Sequence, residues 1–143
     1  METQKIISSE EAKELTMKIL KSEKFLSVAT IKPDGWPNIR ILAISESENL
    51  DTLWFCTSLV SEKIAELNAD SHMTLYGYQA KTMSEFRLFG KAEIFTDLQT
   101  KHHLWKEEYK IFWPQGPESP DMAVIKFTTD HGTYSSMESH GVF

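Results

Sequence analysis

The chain has 143 residues, 41% of them hydrophobic and 25% charged, and a formal net charge of −6. We expect a single domain over residues 1–143, because a chain of this length can bury a core without a disulfide or a metal ion. The composition excludes extended disorder and a small disulfide scaffold. The acidic balance argues against a nucleic-acid partner, since nucleic-acid-binding surfaces carry net positive charge.

The sequence also limits the expected cellular location. Cys56 is the single cysteine, so no intramolecular disulfide can form. The polar segment from Met1 to Glu11 lacks the apolar core of a signal peptide. No uncharged apolar run approaches the roughly 20 residues that a membrane helix needs. We therefore expect a cytoplasmic protein that does not contact a membrane.

Hydrophobic periodicity in the first two thirds of the chain predicts one helix followed by short strands. Ser8 and Glu11 fit a capping box, and apolar residues at helical spacing continue to about Ser22. Gly90 interrupts a later strand, which predicts a β-bulge or a close backbone approach. The predicted strands cover 25–30, 37–44, 53–57, 72–78 and 86–95, and a short helix covers 61–68.

The last third of the chain predicts a second long helix and two more strands. Leu98, Trp105, Tyr109 and Phe112 share one face of a helix over 97–112. Residues 114–120 contain three prolines and form a loop, and strands follow over 123–128 and 133–136. About seven short strands linked mostly as hairpins predict a mainly β fold, an antiparallel barrel or strongly curved sheet with peripheral helices.

Metal binding and nucleophilic catalysis have no supporting motif. No His-x-x-x-His or Cys-x-x-Cys spacing occurs, so no metal site is predicted. No Gly-x-Ser-x-Gly sequence occurs, and Cys56 in the middle of a strand is typical of a buried, inert thiol. No residue is predicted to be a catalytic acid or base.

Two segments could bind an anion. Alternation in the strand 37–44 directs Arg40 away from Ile39 and Ile41. The helix at 61–68 offers free N–H groups at its start, and Lys63 in its first turn opposes the helix dipole unless an anion binds there. On their own, these residues favour the alternative of a strand arginine and a surface lysine on a solvated face.

The order and spacing of several segments resemble the FMN-binding split-barrel family that includes pyridoxamine 5′-phosphate oxidase, and most closely its short general-stress-protein branch. The resemblance covers roughly residues 8–136. The matching segments are Phe25-Leu-Ser-Val-Ala-Thr30, Asp34-Gly35-Trp-Pro37, Arg40-Ile-Leu, Leu53-Trp-Phe-Cys-Thr57, Ser61-Glu-Lys63, Phe86-Arg-Leu-Phe-Gly90-Lys-Ala92, Trp113-Pro-Gln-Gly-Pro117 and Ala123-Val-Ile-Lys126.

The resemblance implies a six- to seven-stranded split β-barrel that forms a homodimer, with one FMN at each end of the subunit interface. It implies that Arg40 contacts the flavin and its phosphate and that Trp113 lies close to the flavin. The phosphate-binding residues it implies are Thr57, Ser61 and Lys63. It also implies that Ser84 and Glu85 reach the isoalloxazine edge across the subunit interface.

The departures from the family pattern narrow the expected activity. Ser45 and Glu62 stand where the oxidases carry basic residues, and no arginine follows Arg87. Oxidation of vitamin B6 is therefore not expected, whereas flavin binding is. We expect an FMN-dependent oxidoreductase with a small-molecule electron donor or acceptor. The alternatives are a non-catalytic module that binds or senses flavin, and a binder of haem or deazaflavin on the same fold.

Overall fold

The computed structural model describes residues 4–143, so the first three residues of the polar segment Met1 to Glu11 lie outside the described residues. None of the helices in the described residues is long and apolar enough to cross a membrane. The strands are β1 (Lys5–Ile6), β2 (Phe25–Ile31), β3 (Pro37–Ala43), β4 (Thr52–Ser58), β5 (His72–Gln79), β6 (Ser84–Phe95), β7 (Met122–Ser135) and β8 (Ser139–Val142). The helices are α1 (Ser9–Ser22), α2 (Glu62–Ala69) and α3 (Leu98–Leu104), with short 3₁₀ turns at Glu107–Ile111 and Gly116–Glu118.

The strands form one mixed sheet whose order is β1-β8-β7-β6-β5-β2-β3, and β4 pairs with β7 beside this path. Every pairing is antiparallel except the short parallel pair of β1 and β8. The mainly β fold predicted from the sequence is confirmed. The two short strands β1 and β8 were not predicted, because neither is long enough to show an alternating pattern.

The core lies inside the curved sheet, and alternation along the strands places it there. Leu26 and Val28 of β2 point inward, as do Leu53 and Phe55 of β4, and all four side chains are fully buried. Helix α1 is capped by Ser8, whose Oγ accepts a hydrogen bond from the N–H of Glu11 at 3.1 Å. The predicted start and end of this helix are confirmed.

The predicted helix over 97–112 is wrong. Helix α3 ends at Leu104, and Trp105 and Lys106 are extended before the chain enters the 3₁₀ turn. The extended residues let Lys106 Nζ donate to the carbonyl of Ser45 at 2.8 Å and bring the Tyr109 hydroxyl within 2.9 Å of Ser45 Oγ. Leu98 is 55% exposed, so the apolar spacing did not mark one buried stripe. Tertiary contacts outweigh helical periodicity here.

The two predicted strands at 123–128 and 133–136 are one continuous strand, β7. The polar residues Asp130 and His131, which lie between the two predicted strands, are exposed where the pairing with β6 shifts register between Phe89 and Gly90. The predicted irregularity at Gly90 is confirmed. An exposed irregularity within a long strand gives the same local sequence signal as a loop.

Replacing Gly90 with alanine is expected to destabilise the fold by about 1–3 kcal/mol. A Cβ at this position would lie 2.1 Å from the carbonyl oxygen of Thr128, which is backbone and cannot move aside cheaply. Chemical denaturation monitored by circular dichroism measures the free energy of unfolding. The matched variant Ala92→Gly in the same strand tests for a general cost of substitution. Equal stability of the Gly90→Ala variant and the wild type would contradict the close approach.

Candidate functional site

The sheet does not close between β3 and β4. These strands adjoin one another, but they share only one isolated bridge, between Glu46 and Trp54, just beyond the C-terminal end of β3. Toward the other end of β3 the gap is flanked by helix α2, which follows β4 directly and packs against β2. The gap brings together polar side chains from β3, β4 and α2, and these form the candidate site.

Arg40 lies on the half-buried face of β3, whereas Ile39 and Ile41 on the opposite face are 66% and 61% exposed. Its Nη2 donates to Glu66 Oε1 at 3.1 Å, and its Nη1 donates to Thr30 Oγ1 at 2.8 Å. The structure therefore holds Arg40 in a fixed position with a carboxylate partner. The exposed face of β3 is the apolar one, so Arg40 does not belong to a solvated face.

Glu66 is a buried carboxylate on α2 and has several hydrogen-bond donors around it. Besides Arg40, it accepts from Thr30 Oγ1 at 2.8 Å and from Asn38 Nδ2 at 3.2 Å. Burial alone would raise the pKa of Glu66, but the hydrogen bonds from Thr30, Asn38 and Arg40 outweigh it and hold that pKa below its ordinary value. The carboxylate is ionised at neutral pH and fixes the guanidinium.

Lys63 is a half-buried cation beside this pair. Its Nζ donates to Thr57 Oγ1 at 2.7 Å. Burial, followed by the charge of Arg40, lowers the pKa of Lys63, and the charge of Glu66 opposes this only in part. Among residues 4–143, no carboxylate oxygen lies within 4.0 Å of this ammonium group. Repulsion from Arg40 and partial desolvation both disfavour the charged lysine, and a bound anion would offset both effects.

The first turn of α2 adds main-chain donors to the same place. Ser61 is the N-cap residue, but its side chain does not cap the helix, because its Oγ donates to the carbonyl of Ser58 at 2.8 Å. The Ser61 side chain therefore offers no acceptor to the N–H groups of the first turn, whereas its main-chain carbonyl accepts from the N–H of Ile64 at 3.1 Å. A helix start with uncapped N–H groups and an adjacent ammonium group is suited to a phosphate.

A cavity of about 670 Å³ adjoins this polar site, and Thr57 belongs to both. The size lies within the range of about 300–1,000 Å³ that is typical of small-molecule sites. Trp113 is buried and forms part of the wall, so the structure brings Trp113 and Thr57 into one cavity. The lining residues are Phe25, Ile41, Leu42, Ala43, Ser45, Cys56, Thr57, Ser58, Tyr109, Ile111, Phe112, Trp113 and Asp121.

Cys56 is half-buried and lines this cavity, although the sequence indicated a buried thiol. Burial raises the pKa of the Cys56 thiol, and a hydrogen bond with Ser45 and the charge of Lys106 only partly oppose this. The thiol is therefore protonated at neutral pH and a weak nucleophile, as the sequence analysis expected.

Ser84 and Glu85 do not line this cavity. Ser84 is buried and shares a hydrogen bond with the Thr82 hydroxyl. Glu85 accepts from the Tyr76 hydroxyl and from Arg87 Nη1, the latter at 3.2 Å. Burial, reinforced by the hydrogen bond and charge of Glu85, raises the pKa of Tyr76 to about 12. Ser84 and Glu85 therefore lie apart from the other predicted site residues, which lie at the gap and the adjoining cavity.

Sequence reasoning missed three residues that shape the site: Thr30, Asn38 and Glu66. Glu66 lies three positions after Lys63 and next to Leu67, on the buried face of α2. A carboxylate on the inward face of a helix needs a charged or hydrogen-bonding partner, and the predicted strand 37–44 offers Arg40, so this signal could have been found. Among residues 4–143, no group of three metal-ligating side chains is present.

The structure defines the class of split-barrel proteins, with a candidate anion site beside a cavity. The family model for "Pyridoxamine 5'-phosphate oxidase like" proteins matches residues 10–142, and the chain belongs to this family. The search of curated proteins found no significant match.

Solved structures give the same fold. A Clostridium acetobutylicum protein related to general stress protein 26 of B. subtilis is 25% identical, with a TM-score of 0.83 and coverage of 91% of this chain and 92% of that one. A pyridoxamine 5'-phosphate oxidase-related, FMN binding protein from Nostoc punctiforme is 17% identical, with a TM-score of 0.65 and coverage of 90% and 85%. An F420 reductase is 17% identical, with a TM-score of 0.62 and coverage of 82% and 94%.

Proposed function

We propose that this chain is a cytoplasmic flavoprotein that binds FMN in the gap between β3 and β4 and uses it as an oxidoreductase of the general-stress type. The observation that carries the proposal is Lys63, a half-buried cation without a carboxylate partner among the described residues, next to an uncapped helix start. Membership of the family and the similarity to an FMN binding protein support a flavin as the ligand.

The residues present fit the two chemically different halves of FMN. Arg40, Thr57, Ser61 and Lys63 surround a place for the phosphate. The adjoining cavity of about 670 Å³, with aromatic and aliphatic walls that include Trp113, offers a place for the ring system, and we call it the ring cavity. Thr57 belongs to both sites, so they lie close enough for one ligand to occupy both.

Bound FMN would supply the electron transfer, and the residues of this chain would bind and orient it. Lys63 and the first turn of α2 would hold the phosphate, while Glu66 fixes the Arg40 guanidinium beside α2. Trp113 and Phe112, whose rings lie 5.9 Å apart, would exclude water from one side of the ring cavity. No residue of the cavity is assigned as a proton donor.

A homodimer is part of the proposal. The outer face of β3 exposes Ile39 and Ile41, and nearby Phe25 and Trp36 are 65% and 70% exposed. Four large apolar side chains on an edge strand and its neighbours are an unusual surface for a monomer. This surface borders the ring cavity, since Phe25 and Ile41 also line it. A second subunit docked there would complete the cavity and could bring its own Ser84 and Glu85 toward the flavin.

Replacing Ile39 with aspartate is expected to convert the dimer to a monomer, because a carboxylate would be buried in the apolar interface without a partner. Light scattering after size-exclusion chromatography measures the molar mass in solution. Ile6→Asp is the matched control, since Ile6 is 83% exposed on β1 at the opposite edge of the sheet. A wild-type monomer, or an Ile39→Asp dimer as stable as the wild type, would contradict the proposed interface.

The visible spectrum of the purified protein tests flavin binding. A flavin absorption band, or its appearance with saturation on titration with FMN, is the expected result, and a colourless protein that does not bind FMN would refute the proposal. Anaerobic addition of NADH and NADPH then separates the enzyme from the alternative of a non-catalytic module. Bleaching of the flavin band supports an oxidoreductase, and no reduction with either nucleotide favours the module.

A deazaflavin is the second candidate ligand, supported by the similarity to an F420 reductase. Competition of FMN with F420 for the purified protein decides between the two ligands. Haem has less support, because no histidine is among the residues that line the ring cavity.

A further inference from the structure

A second cavity, of about 450 Å³, adjoins the ring cavity. It lies between the end of α1, the start of β2, the end of β3 and the 3₁₀ turn at Glu107–Ile111. The two cavities share the lining residues Phe25, Ala43, Ser45, Tyr109 and Phe112. One elongated molecule can therefore extend from one cavity into the other.

The second cavity is positively charged, although the chain as a whole is acidic. Lys21, Lys24 and Lys106 line it, and Glu108 is the single acidic residue in its wall. Within residues 4–143, no carboxylate oxygen lies within 4.0 Å of any of these three ammonium groups. All three lysines are exposed, and three unpaired cations around one concave surface attract an anion.

Lys106 is held in this position by the fold. Its Nζ donates to the main-chain carbonyl of Ser45 at 2.8 Å, which leaves two of its three N–H donors for a ligand. The charge of Lys106 also acts to lower the pKa of Cys56, which lines the ring cavity. Lys106 therefore lies near the boundary of the two cavities.

Neutral polar groups lie at the same boundary. Ser45 Oγ and the Tyr109 hydroxyl are 2.9 Å apart, and both residues line both cavities. Burial raises the pKa of Tyr109, so its hydroxyl stays protonated at neutral pH. A ligand that spans the boundary would meet hydroxyl groups between an apolar region and a cationic one.

We propose that the second cavity is a substrate subsite that holds the anionic group of a small aromatic molecule, whose ring lies at the flavin. Lys24 and Lys106 bind the carboxylate, sulfonate or phosphate of that molecule, and the ring extends past Ser45 and Tyr109 into the ring cavity. This rests on the proposed function, because the flavin defines which end of the molecule reacts. The substrate class is therefore small aromatic anions.

Isothermal titration calorimetry with naphthalene-2-sulfonate and the neutral naphthalene-2-sulfonamide tests the subsite. The two probes share one ring system and differ in charge. The sulfonate is expected to bind more tightly than the sulfonamide, and the double variant Lys24→Gln/Lys106→Gln is expected to weaken the sulfonate about tenfold while leaving the sulfonamide unchanged. Lys24→Arg/Lys106→Arg keeps the charge and should retain sulfonate binding, and thermal melts confirm that each variant is folded.

Lys5→Gln/Lys91→Gln is the matched control, because it removes the same charge from two exposed lysines outside both cavities. An equal loss in the control, equal affinity for both probes, or no sulfonate binding would overturn the subsite. The titrations are carried out with the protein as purified and after saturation with FMN. Failure to bind FMN refutes the proposed function, and the sulfonate comparison decides the subsite separately.

Discussion

The Lys63→Met variant is expected to bind FMN about tenfold to a hundredfold more weakly than the wild-type chain. Lys63 lies at the start of α2 with its Nζ on Thr57 Oγ1, and no carboxylate oxygen among the described residues lies within 4.0 Å of it. Methionine keeps the length and most of the packing of the side chain but removes the charge. The lost free energy is therefore that of a charge-assisted hydrogen bond to the phosphate.

Riboflavin, which has the same ring system and no phosphate, separates a phosphate contact from a general disturbance of the site. Its affinity is expected to stay within about twofold in the Lys63→Met variant. Fluorescence quenching on titration of each flavin with protein gives both dissociation constants. Lys18→Met, an exposed lysine on α1, is the matched control and should change neither. An equal loss for FMN and riboflavin in Lys63→Met would show that Lys63 does not bind the phosphate.

The Glu66→Gln variant is expected to be about 2 kcal/mol less stable than the wild type at neutral pH. Glu66 is buried and accepts hydrogen bonds from Arg40, Thr30 and Asn38, so its neutral replacement leaves the Arg40 guanidinium without a charged partner. Glu62→Gln on the same helix is the matched control, because Glu62 is exposed and makes only a 3.4 Å contact with Asn38. Urea denaturation measures the free energy of unfolding of all three chains.

The difference between the wild type and Glu66→Gln is expected to depend on pH in one direction. The folded chain holds the pKa of Glu66 below its ordinary value of 4.5, so the carboxylate stabilises the fold at pH values above 4.5. This contribution is lost as the pH falls through the lowered pKa, since protonated Glu66 resembles glutamine. The two stabilities should therefore converge in acid. A difference that stays constant from neutral pH into acid would mean that the charge of Glu66 does not stabilise the fold.

The strands were predictable where one face is buried and the other is not. In β2 and β4 the apolar residues alternate with half-buried ones, and the predicted and observed ranges agree within two residues. The split itself was not predictable from periodicity, because the missing pairing of β3 with β4 leaves no mark on either strand. The split was expected only because the sequence resembles a known split-barrel family.

The candidate site was indicated at Thr57, Ser61 and Lys63 by a strand that ends in hydroxyl groups before a helix start, but only the resemblance to a known family favoured an anion site over a surface lysine. The partner of Arg40 was not, since Glu66 reaches Arg40 only after α2 packs beside β2 and β3. The cavity walls around Tyr109 and Lys106 depend on the break after α3, which tertiary contacts with Ser45 impose. Local sequence does not encode such contacts.

The most direct test of the central claim is the ratio of the dissociation constants of riboflavin and FMN for the wild-type chain. A site built around Lys63, Thr57 and the first turn of α2 is expected to bind FMN at least about tenfold more tightly than riboflavin, because only FMN carries the phosphate. Increasing salt should reduce this ratio. Equal affinity for the two flavins, or no affinity for either, would contradict a phosphate site at the gap.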